Sequence, residues 1–345
     1  MNNEAEGTMK AGKIEAPGRI HLASAEIPQV GADDVLIQVR AAGICGTDIH
    51  ILKGEYEAQY PLIPGHEFSG IVAGVGERVT RYKVGDRVTA DPNIPCNRCP
   101  ACQRNEPNQC HHLAAIGVTR DGAFAEFVTA PESNVFHIRD MSFAAAALVE
   151  PLACVVWGLE RLRIPPGASV LIFGAGPMGC LLAQALRYSG ASKVVVVDIV
   201  PHRLALVSEL GATETVVGDD NQTKRLRAIE PGGFDLVVDA TGIPRVLQDA
   251  FQYLRPRGTL WVFGVTPNDA RISFMPYEVF RKDLTIMGSF AVNRTFQASI
   301  ALIEGGIVNV EPLISHTLPI EDIAKGFELA QSDPRRMKVQ FQMTP

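Results

Sequence analysis

A glycine-rich turn between an apolar run and an apolar helix constrains this chain more than any other feature. The sequence GAGPMG at residues 174–179 fits the pattern G-x-G-x-x-G, follows a β-rich run at 169–173 and precedes a helical stretch at 181–188. Glycines at these places allow a tight turn, close approach of a ligand to the backbone, and close packing of helix on strand. The free N–H groups at the helix N-terminus suit a pyrophosphate. The context therefore predicts the first βαβ unit of a dinucleotide-binding sheet.

Further apolar runs follow this unit at intervals long enough for helices. They lie at 193–198, 215–217, 234–239, 259–264 and 284–288. Buried strands that alternate with helices are typical of a parallel sheet covered on both faces. The fold class predicted for this part is α/β, a Rossmann doubly wound parallel sheet, preceded by a helical stretch at 152–162.

The chain before residue 150 has a different sequence pattern, with short β-rich runs separated by glycine and proline. Runs at 35–39, 68–75, 86–90 and 124–129 predict a loop-rich, mostly β domain. After residue 290, helical stretches at 295–303 and 320–330 flank a segment at 308–318, and we expect this part to return to the first domain. The length of 345 residues suits two domains. The predicted division is 1–151, 152–290 and 291–345.

Asp198 closes the strand after the glycine loop, where a carboxylate can accept hydrogen bonds from the ribose hydroxyls of a dinucleotide. The same charge repels a 2′-phosphate, so the sequence favours NAD over NADP. Arg203 could stack on the adenine or reach a ribose oxygen; the alternative is a solvated arginine in the first turn of a helix. The predicted cofactor-binding residues are Gly174, Gly176, Pro177, Met178, Gly179, Asp198, Arg203, Phe263, Val265, Ser289 and Phe290.

Four of the seven cysteines lie close together, as C-x2-C-x2-C-x7-C at Cys96, Cys99, Cys102 and Cys110. An odd total does not fit a disulfide framework, and the loop around them has little regular structure to fix its backbone. Four thiolates are a standard tetrahedral zinc set with no open position, which predicts a structural zinc ion and not a catalytic one. The alternatives are an iron–sulfur cluster and a thiol-rich loop without metal.

A second group of metal-ligand residue types is scattered over the first part of the chain: Cys45, His66, Glu67 and Glu150. One thiolate, one imidazole and one carboxylate leave a fourth position free, the pattern of a catalytic zinc site. Each residue alone has an ordinary explanation, as a small buried hydrophobe, a turn residue or the start of a helix. Their joint occurrence beside a four-cysteine loop and a dinucleotide fold favours the catalytic site.

These motifs carry a family resemblance over essentially the whole chain from residue 9 onward. Residues 43–50, 64–67, the cysteine spacing, 150–152 and 174–179 together resemble the zinc-containing medium-chain alcohol and polyol dehydrogenases. Within this family, Glu150 followed by Pro151 resembles the sorbitol and related sugar-alcohol group. The classical alcohol dehydrogenases carry a second cysteine at the position of Glu150. The resemblance implies a GroES-like catalytic domain, a Rossmann domain and a homotetramer, or a dimer.

The resemblance also implies roles for single residues. Thr47 receives the proton of the substrate hydroxyl and passes it through the nicotinamide ribose to His50, which reaches solvent. In the polyol group Glu67 is a direct zinc ligand and Glu150 acts through bound water, whereas plain chemistry also permits the reverse. The implied catalytic set is Cys45, Thr47, His50, His66, Glu67 and Glu150, with two zinc ions per subunit. The implied reaction moves a hydride between a secondary alcohol or polyol, of sorbitol, xylitol or arabinitol type, and NAD.

Alternatives for the substrate stay open. Animal sorbitol dehydrogenases have a Tyr after the corresponding histidine and an Arg-Tyr pair after the last Rossmann strand, where Ile51, Ala291 and Val292 stand here. Loss of those hydrogen bonds favours a less polar diol, or a polyol held by other side chains. Butanediol, threonine and other secondary-alcohol dehydrogenases share both zinc sites. Alternatives of another class are a zinc-free quinone or enone reductase and a catalytically inactive NAD-binding sensor.

Charge and hydropathy limit the partners. The formal charge of −6 is modest and spread along the chain, so we expect no nucleic-acid partner. The first ten residues are polar and acidic without the apolar core of a signal peptide, and no uncharged apolar stretch of 18 residues follows. We therefore expect a small-molecule substrate, no membrane partner and a cytoplasmic protein.

Overall fold

The computed structural model describes residues 7–56 and 58–343. The chain divides into two compact units. The first unit comprises Met1–Ala153, Val292–Glu304 and Val310–Pro345, and the second comprises Cys154–Ala291 and Gly305–Asn309.

The strands are β1 (Thr8–Ala16), β2 (Arg19–Glu26), β3 (Asp34–Gly43), β4 (Glu67–Val75), β5 (Arg87–Ala90), β6 (Asn93–Ile94), β7 (Ala114–Ala115), β8 (Phe127–Pro131), β9 (Val135–His137), β10 (Ser169–Phe173), β11 (Lys193–Asp198), β12 (Glu214–Val217), β13 (Phe234–Asp239), β14 (Leu254–Val262), β15 (Thr285–Gly288), β16 (Ile314–Pro319) and β17 (Lys338–Gln342). The helices are α1 (Gly46–Lys53), α2 (Pro100–Gln103), α3 (Phe143–Ala146), α4 (Val149–Glu160), α5 (Pro177–Tyr188), α6 (Pro201–Glu209), α7 (Gln222–Ile229), α8 (Pro244–Ala250), α9 (Pro276–Lys282), α10 (Phe296–Glu304) and α11 (Ile323–Ser332).

The first unit is built on a mixed sheet in the order β16-β17-β3-β4-β5-β9, and β8 also pairs with β3. The pairs are antiparallel except β16 with β17. On β3, fully buried Ile37 and Val39 alternate with Gln38 and Arg40, the period of a strand with one face in the core, whereas the two residues before Ile37 are both buried. β1 and β2 form a separate antiparallel hairpin, and β6 and β7 a short ribbon.

Phe124 is a fully buried member of the core of the first unit. Its ring meets Phe327 of α11 and Phe341 of β17 edge-on, with ring centroids 5.9 and 5.1 Å apart. Such edge-to-face pairs add to the stabilisation that burial of large aromatic side chains provides. β17 also pairs with β3, so the last strand of the chain lies beside a strand from its beginning.

The second unit contains an all-parallel sheet of six strands in the order β12-β11-β10-β13-β14-β15, with helices α5 to α9 in the connections. Residues 170–173 and 194–197 are buried without interruption. Helices on both faces explain why these strands appear in the sequence as continuous apolar runs. The strand order reverses between β10 and β13, the point at which open α/β sheets bind ligands. The predicted α/β class with a doubly wound parallel sheet is confirmed.

Several element bounds differ from the sequence prediction. β14 begins at Leu254 and not at 259, because Leu254 pairs with Phe234 before the register shifts. β8 begins at Phe127 and not at 124, because Phe124 packs into the core outside a strand. The last helix begins at Ile323, after a 3-10 turn at Ile320–Asp322. These starts depend on tertiary packing more than on local pattern.

One segment, Phe143–Glu160, is long and apolar enough to cross a membrane by length and composition. It covers α3 and α4, and 67% of it is buried inside the fold. Burial of this extent is what the core helix of a soluble protein shows, so the segment gives no support to a membrane span.

Candidate active site

Three of the four residues predicted for the reactive metal site converge in the first unit. The candidate ligand atoms of Cys45, His66 and Glu67 all lie within 4.8 Å of one another. Cys45 is the N-cap of α1, while His66 and Glu67 lie at the start of β4. Gly65, with φ 98°, turns the chain into this strand; a Cβ there would lie 2.8 Å from the backbone N of Phe124.

Glu150, the fourth predicted residue, lies outside this group of three. It is buried in the first turn of α4. Burial raises the pKa of Glu150 to about 7, an effect that the charge of His66 opposes and that of Glu67 increases. The carboxyl group is therefore electrostatically coupled to the group of three without joining it.

The negative groups around His66 favour a positive charge at this site. Burial lowers the pKa of His66, but the charges of Asp48 and Cys45 outweigh it and hold that pKa well above its ordinary value. His66 Nδ1 is buried, lacks a hydrogen-bond partner and lies 3.6 Å from Asp48 Oδ1. A thiolate, an imidazole and a carboxylate in buried surroundings are a donor set that zinc prefers. The residues present therefore fit a zinc ion.

Asp48 was not predicted as a site residue, yet it holds the two ligand segments together. Its Oδ2 accepts the N–H of Cys45 at 2.8 Å and its Oδ1 accepts the N–H of Gly65 at 3.3 Å. The side chain is fully buried. Metal-binding histidines commonly have a carboxylate of this kind behind the ring, which fixes the orientation of the ring. The sequence signal was an acid three residues after the N-cap of a short helix.

Lys338 on β17 is a second residue that the sequence analysis missed. Its Nζ donates to Glu67 Oε1 at 2.7 Å and to the carbonyl of Ile44 at 3.2 Å, and it lies 2.7 Å from Glu67 Oε2. Burial lowers the pKa of Lys338, but the charges of Glu67 and Cys45 outweigh it and raise that pKa. Little in the sequence signalled this role, because Lys338 begins β17 and the strand contains two further polar residues, both glutamine.

The two residues predicted to move protons both lie on α1. Cys45 Sγ lies 3.8 Å from Thr47 Oγ1, so the hydroxyl is beside the candidate metal ligands. His50 is in the last turn of α1, half-buried, with Nδ1 2.7 Å from Glu55 Oε2. Ile51, which replaces the tyrosine of animal sorbitol dehydrogenases, is fully buried in the core. This position therefore offers no side chain to a substrate.

The four predicted structural ligands also converge, and the described thiols are free of disulfides. The Sγ atoms of Cys96, Cys99, Cys102 and Cys110 lie within 4.8 Å of one another. Cys99 Sγ is 3.5 Å from Cys102 Sγ and 3.9 Å from Cys110 Sγ. These separations are close to the edge of a tetrahedron of thiolates at a zinc–sulfur distance of about 2.3 Å. Four thiols at these distances fit a closed zinc site.

Backbone groups help to keep these sulfur atoms in place. The N–H groups of Cys96 and His112 donate to Cys110 Sγ at 3.2 and 3.3 Å. The N–H groups of Cys102 and His111 lower the pKa of Cys99 to about 5, whereas burial raises that of Cys102 to about 12. The backbone of the loop therefore favours the thiolate form of Cys99, whereas burial favours the thiol form of Cys102.

The glycine loop of the second unit has the predicted strand-turn-helix setting. Gly174 has φ 102°, Gly176 is the N-cap of α5, and Pro177 begins the helix. A Cβ at Gly179 would lie 1.9 Å from the carbonyl oxygen of Gly174, so only glycine fits there. Met178 follows Pro177 in the first turn. The N–H groups of this helix start are those that a pyrophosphate would meet.

Asp198, at the end of β11, is tied to the same loop. Its Oδ2 accepts the N–H of Ala175 at 2.7 Å and its Oδ1 accepts the N–H of Val200 at 2.8 Å. Each carboxylate oxygen can accept a further hydrogen bond. Asp198 therefore shapes the turn while it keeps acceptor capacity for a ribose hydroxyl. Arg203 lies in the first turn of α6, half-buried.

The remaining predicted cofactor residues follow the last two strands of the parallel sheet. Phe263 and Val265 come after β14, and Val265 is 69% exposed. Ser289 and Phe290 come after β15, where Ser289 Oγ accepts a hydrogen bond from Trp261 Nε1 at 3.0 Å. The carboxyl ends of parallel strands share one edge of the sheet, which is the ligand-binding edge of this fold class.

Two family models match this chain. Residues 31–140 match the family model described as alcohol dehydrogenase GroES-like domain, and residues 177–305 match the one described as zinc-binding dehydrogenase. The chain belongs to the zinc-dependent medium-chain alcohol and polyol dehydrogenases. The resemblance inferred from the sequence, the oxidoreductase class, and zinc with a nicotinamide dinucleotide as cofactors are confirmed at the level of this family.

Among curated relatives, D-altritol 5-dehydrogenase of Agrobacterium fabrum is 39% identical over 338 residues, 96% of this chain and 99% of that one. D-arabinitol dehydrogenase 1 of Uromyces fabae is 37% identical over 325 residues, 93% of each chain. An L-threonine 3-dehydrogenase of Rhizobium etli is 35% identical over 329 residues, 93% of this chain and 94% of that one.

Solved structures show the same fold with both forms of the coenzyme. A zinc-binding dehydrogenase structure from Sinorhizobium meliloti, solved with NADP, has a TM-score of 0.93 at 33% identity and covers 98% of this chain and 100% of that one. An alcohol dehydrogenase from Escherichia coli, solved with NADH, has a TM-score of 0.91 at 29% identity and covers 97% and 99%. The choice between NAD and NADP stays a prediction.

Proposed function

We propose that this enzyme oxidises a secondary hydroxyl of a sugar alcohol with NAD and catalyses the reverse reduction at the same site. The observation that supports this most is the convergence of Cys45, His66 and Glu67 within 4.8 Å. The relatives that act on D-altritol and D-arabinitol point to an acyclic polyol. Glu150 in place of a second cysteine supports the same branch.

The metal would be held by Cys45, His66 and Glu67, with Glu150 as the fourth group of the site. When bound, zinc supplies Lewis-acid stabilisation of negative charge on the substrate oxygen, and the nicotinamide accepts the hydride. Asp48 keeps the His66 ring and the Cys45 backbone in position. Lys338 already forms an ion pair with Glu67. The proposal therefore includes both carboxylates, Glu67 and Glu150, as metal ligands.

The proton released from the alcohol is proposed to leave through side chains of α1. Thr47 Oγ1 would accept it beside the metal ligands and release its own hydroxyl proton, through the nicotinamide ribose, to His50, whose partly exposed ring passes a proton to solvent. Both residues are fixed by one short helix whose start is capped at Cys45. A rigid helix keeps the distance and orientation between the Thr47 and His50 backbones constant.

The second unit is proposed to prefer NAD. Asp198 carries a charge at the end of β11, and the acceptor capacity of its oxygen atoms suits ribose hydroxyls, whereas a 2′-phosphate would meet a like charge. Phe263, Val265, Ser289, Phe290 and Arg203 complete the proposed coenzyme site. The functional division that we propose is 1–151 with 291–345 for catalysis and 152–290 for the coenzyme.

The four-cysteine loop is proposed to hold a structural zinc ion, which gives two zinc ions per subunit. No open ligand position is left when all four thiolates bind, so the ion stabilises the loop and takes no part in chemistry.

A substrate screen tests the proposed function. The zinc-loaded enzyme is dialysed and assayed with NAD and with NADP against sorbitol, xylitol, ribitol, arabinitol, altritol, galactitol, 2,3-butanediol and L-threonine. We expect the highest kcat/KM for a polyol with NAD. Turnover of L-threonine alone, which the Rhizobium etli relative makes the second candidate, would overturn the polyol assignment. An absence of turnover with every alcohol would favour the inactive sensor.

The subunits are proposed to form a homo-oligomer, a dimer or tetramer, in the cytoplasm. β15 stands at the end of the six-stranded order, and Ile286 on it is 44% exposed. Nearby in sequence, Tyr277 and Phe280 of α9 are 64% and 80% exposed. Exposed apolar side chains beside an open strand edge are typical of interfaces. Light scattering of the purified enzyme gives the mass, and a monomer would contradict the proposal.

A further inference from the structure

The turn that ends α1 brings an acidic side chain onto the histidine of the proposed proton path. Gly54 has φ 77°, a left-handed conformation, and its N–H donates to the carbonyl of Ile51 at 3.0 Å. The N–H of Glu55 donates to the carbonyl of His50 at 2.9 Å. These two bonds define a Schellman motif, in which the residue after the left-handed glycine packs over the residue five positions earlier.

That pair of positions is usually apolar, but here it is a carboxylate and an imidazole. Glu55 Oε2 lies 2.7 Å from His50 Nδ1. An ionised carboxylate only accepts hydrogen bonds, so Nδ1 must carry the hydrogen atom. In the neutral ring Nε2 then has a free lone pair and can accept a proton. The Schellman turn therefore selects one tautomer of His50.

The one carboxylate on α1 itself, that of Asp48, is engaged elsewhere. Asp48 on the same helix accepts from the backbone of Cys45 and Gly65. Within residues 7–56 and 58–343, the ion pair recorded for the His50 ring is the one with Glu55. Tyr60 donates its hydroxyl to the carbonyl of Ile51 at 2.6 Å and so supports the same end of the helix.

We propose that Glu55 is a positioning residue for proton transfer: it holds His50 as the Nδ1–H tautomer with Nε2 ready to accept the proton that leaves the alcohol. This inference rests on the proposed role of His50 in the reaction. Glu55 itself does not touch substrate or coenzyme in the proposal. Its effect is to orient the ring and to keep the acceptor nitrogen free, which a helix end with an apolar residue at this position would not do.

The test combines a spectroscopic and a kinetic measurement on the zinc-loaded enzyme. Glu55→Gln keeps the size of the side chain but removes the obligatory acceptor. Surface ion pairs contribute little to stability, so the variant is expected to fold. Glu15→Gln is the matched control, because Glu15 forms another surface ion pair of the same unit, with Lys13 at 3.1 Å.

The ring nitrogens of His50 are observed by 15N NMR after histidine labelling and are assigned with His50→Gln. We expect the neutral His50 ring to show the Nδ1–H tautomer in the wild type and in Glu15→Gln, and to shift toward Nε2–H in Glu55→Gln. In the direction of alcohol oxidation, kcat should fall roughly tenfold in Glu55→Gln, with KM values nearly unchanged.

Unchanged tautomer populations in Glu55→Gln would overturn the inference, and so would an equal loss of kcat in Glu15→Gln. An altered tautomer with unchanged kcat would also overturn it, because ring orientation would then have no bearing on proton transfer. Failure of the proposed function is a separate result. It would appear as absence of turnover by the wild type, while the NMR measurement still reports the Glu55–His50 pair.

Discussion

Lys338 and Glu67 form a buried ion pair, although 271 residues separate them in the chain: the Nζ to Oε1 distance is 2.7 Å, and their side chains are 6% and 1% exposed. The pair joins β17 to the start of β4, where the candidate zinc ligands lie. Two opposite charges in such surroundings depend on each other, because either one alone would be buried without a partner.

Removal of the lysine should therefore destabilise the first unit. In the zinc-free protein, we expect Lys338→Met to lower the free energy of unfolding by about 3–5 kcal/mol, since it leaves the Glu67 carboxylate buried and unpaired. Urea unfolding followed by circular dichroism measures the change. Lys10→Met, which breaks the exposed pair with Glu321, is the control and should leave the midpoint nearly unchanged. An equal effect in both variants would contradict the assignment.

The four-cysteine loop gives a second prediction. Cys99→Ser should reduce thermal stability or assembly more than turnover per folded subunit, because four thiolates leave no position for a substrate. Differential scanning calorimetry, light scattering and zinc analysis on one preparation measure the three quantities, and Cys180→Ser serves as a thiol control in the other unit. A variant that kept its stability and oligomeric state but lost turnover would show that the ion is catalytic.

The sequence could predict the parallel sheet because its strands carry their own signal. A strand buried on both faces needs an unbroken apolar run, and residues 170–173 and 194–197 have one. The glycine loop could also be predicted from the sequence, because local steric contacts require a glycine, as at Gly179. The zinc-ligand residues were recognisable by type and by joint occurrence.

What the sequence could not predict depends on contacts between distant segments. Nothing near Lys338 in the chain indicates that its partner is Glu67. The role of Asp48 depends on the backbone of Gly65, which only the folded turn brings close. Ile51 was compared with a substrate-binding tyrosine, whereas its place on the inner face of α1 puts it in the core. Helical spacing alone does not tell which face of a short helix points inward.

Coenzyme choice can be tested at Asp198. We expect the wild type to have a kcat/KM for NAD at least tenfold above that for NADP, because the carboxylate disfavours a 2′-phosphate. Asp198→Asn should narrow this ratio, while its oxygen still accepts one backbone N–H of the loop. The matched control is Asp219→Asn after β12, which should leave the ratio unchanged. A wild-type ratio at or below one would refute the prediction.

A partly buried acid in the first unit predicts a pH dependence of stability. Burial raises the pKa of Asp91 from 3.8 to about 6, although hydrogen bonds from Asn93 act in the opposite direction. The folded state thus holds the proton more tightly than the unfolded state, so this group favours folding at low pH. Stability is lost as the pH rises from about 4 through about 6, by about 3 kcal/mol in total.

Asp91→Asn should remove this dependence, because the amide has no charge and its oxygen can still accept from Asn93. Urea unfolding at pH 4.5 and at pH 8 is the measurement. The variant should gain stability over the wild type at the higher pH and little at the lower one. A loss of stability at pH 8 would mean that the carboxylate is needed in its ionised form.

The metal ligands give the prediction that decides the mechanism. Cys45→Ser and His66→Ala should abolish turnover and leave NAD binding nearly intact, because the ligands belong to the first unit while the glycine loop belongs to the second. Lewis-acid stabilisation of a developing alkoxide contributes several kcal/mol, so loss of the ion should cost on the order of a thousandfold or more in rate. Ser142→Ala, in the same unit but outside the ligand group, is the control.

Zinc content, NAD affinity and steady-state turnover must be measured on the same preparations for this result to be clear. A variant that binds NAD normally but has lost one zinc ion per subunit and its activity fits the proposed site. Loss of NAD affinity together with zinc would instead indicate misfolding, which calorimetry of the same sample detects. A metal-depleted variant that still oxidised alcohol at near wild-type rate would remove zinc from the mechanism and favour a zinc-free reductase on the same fold.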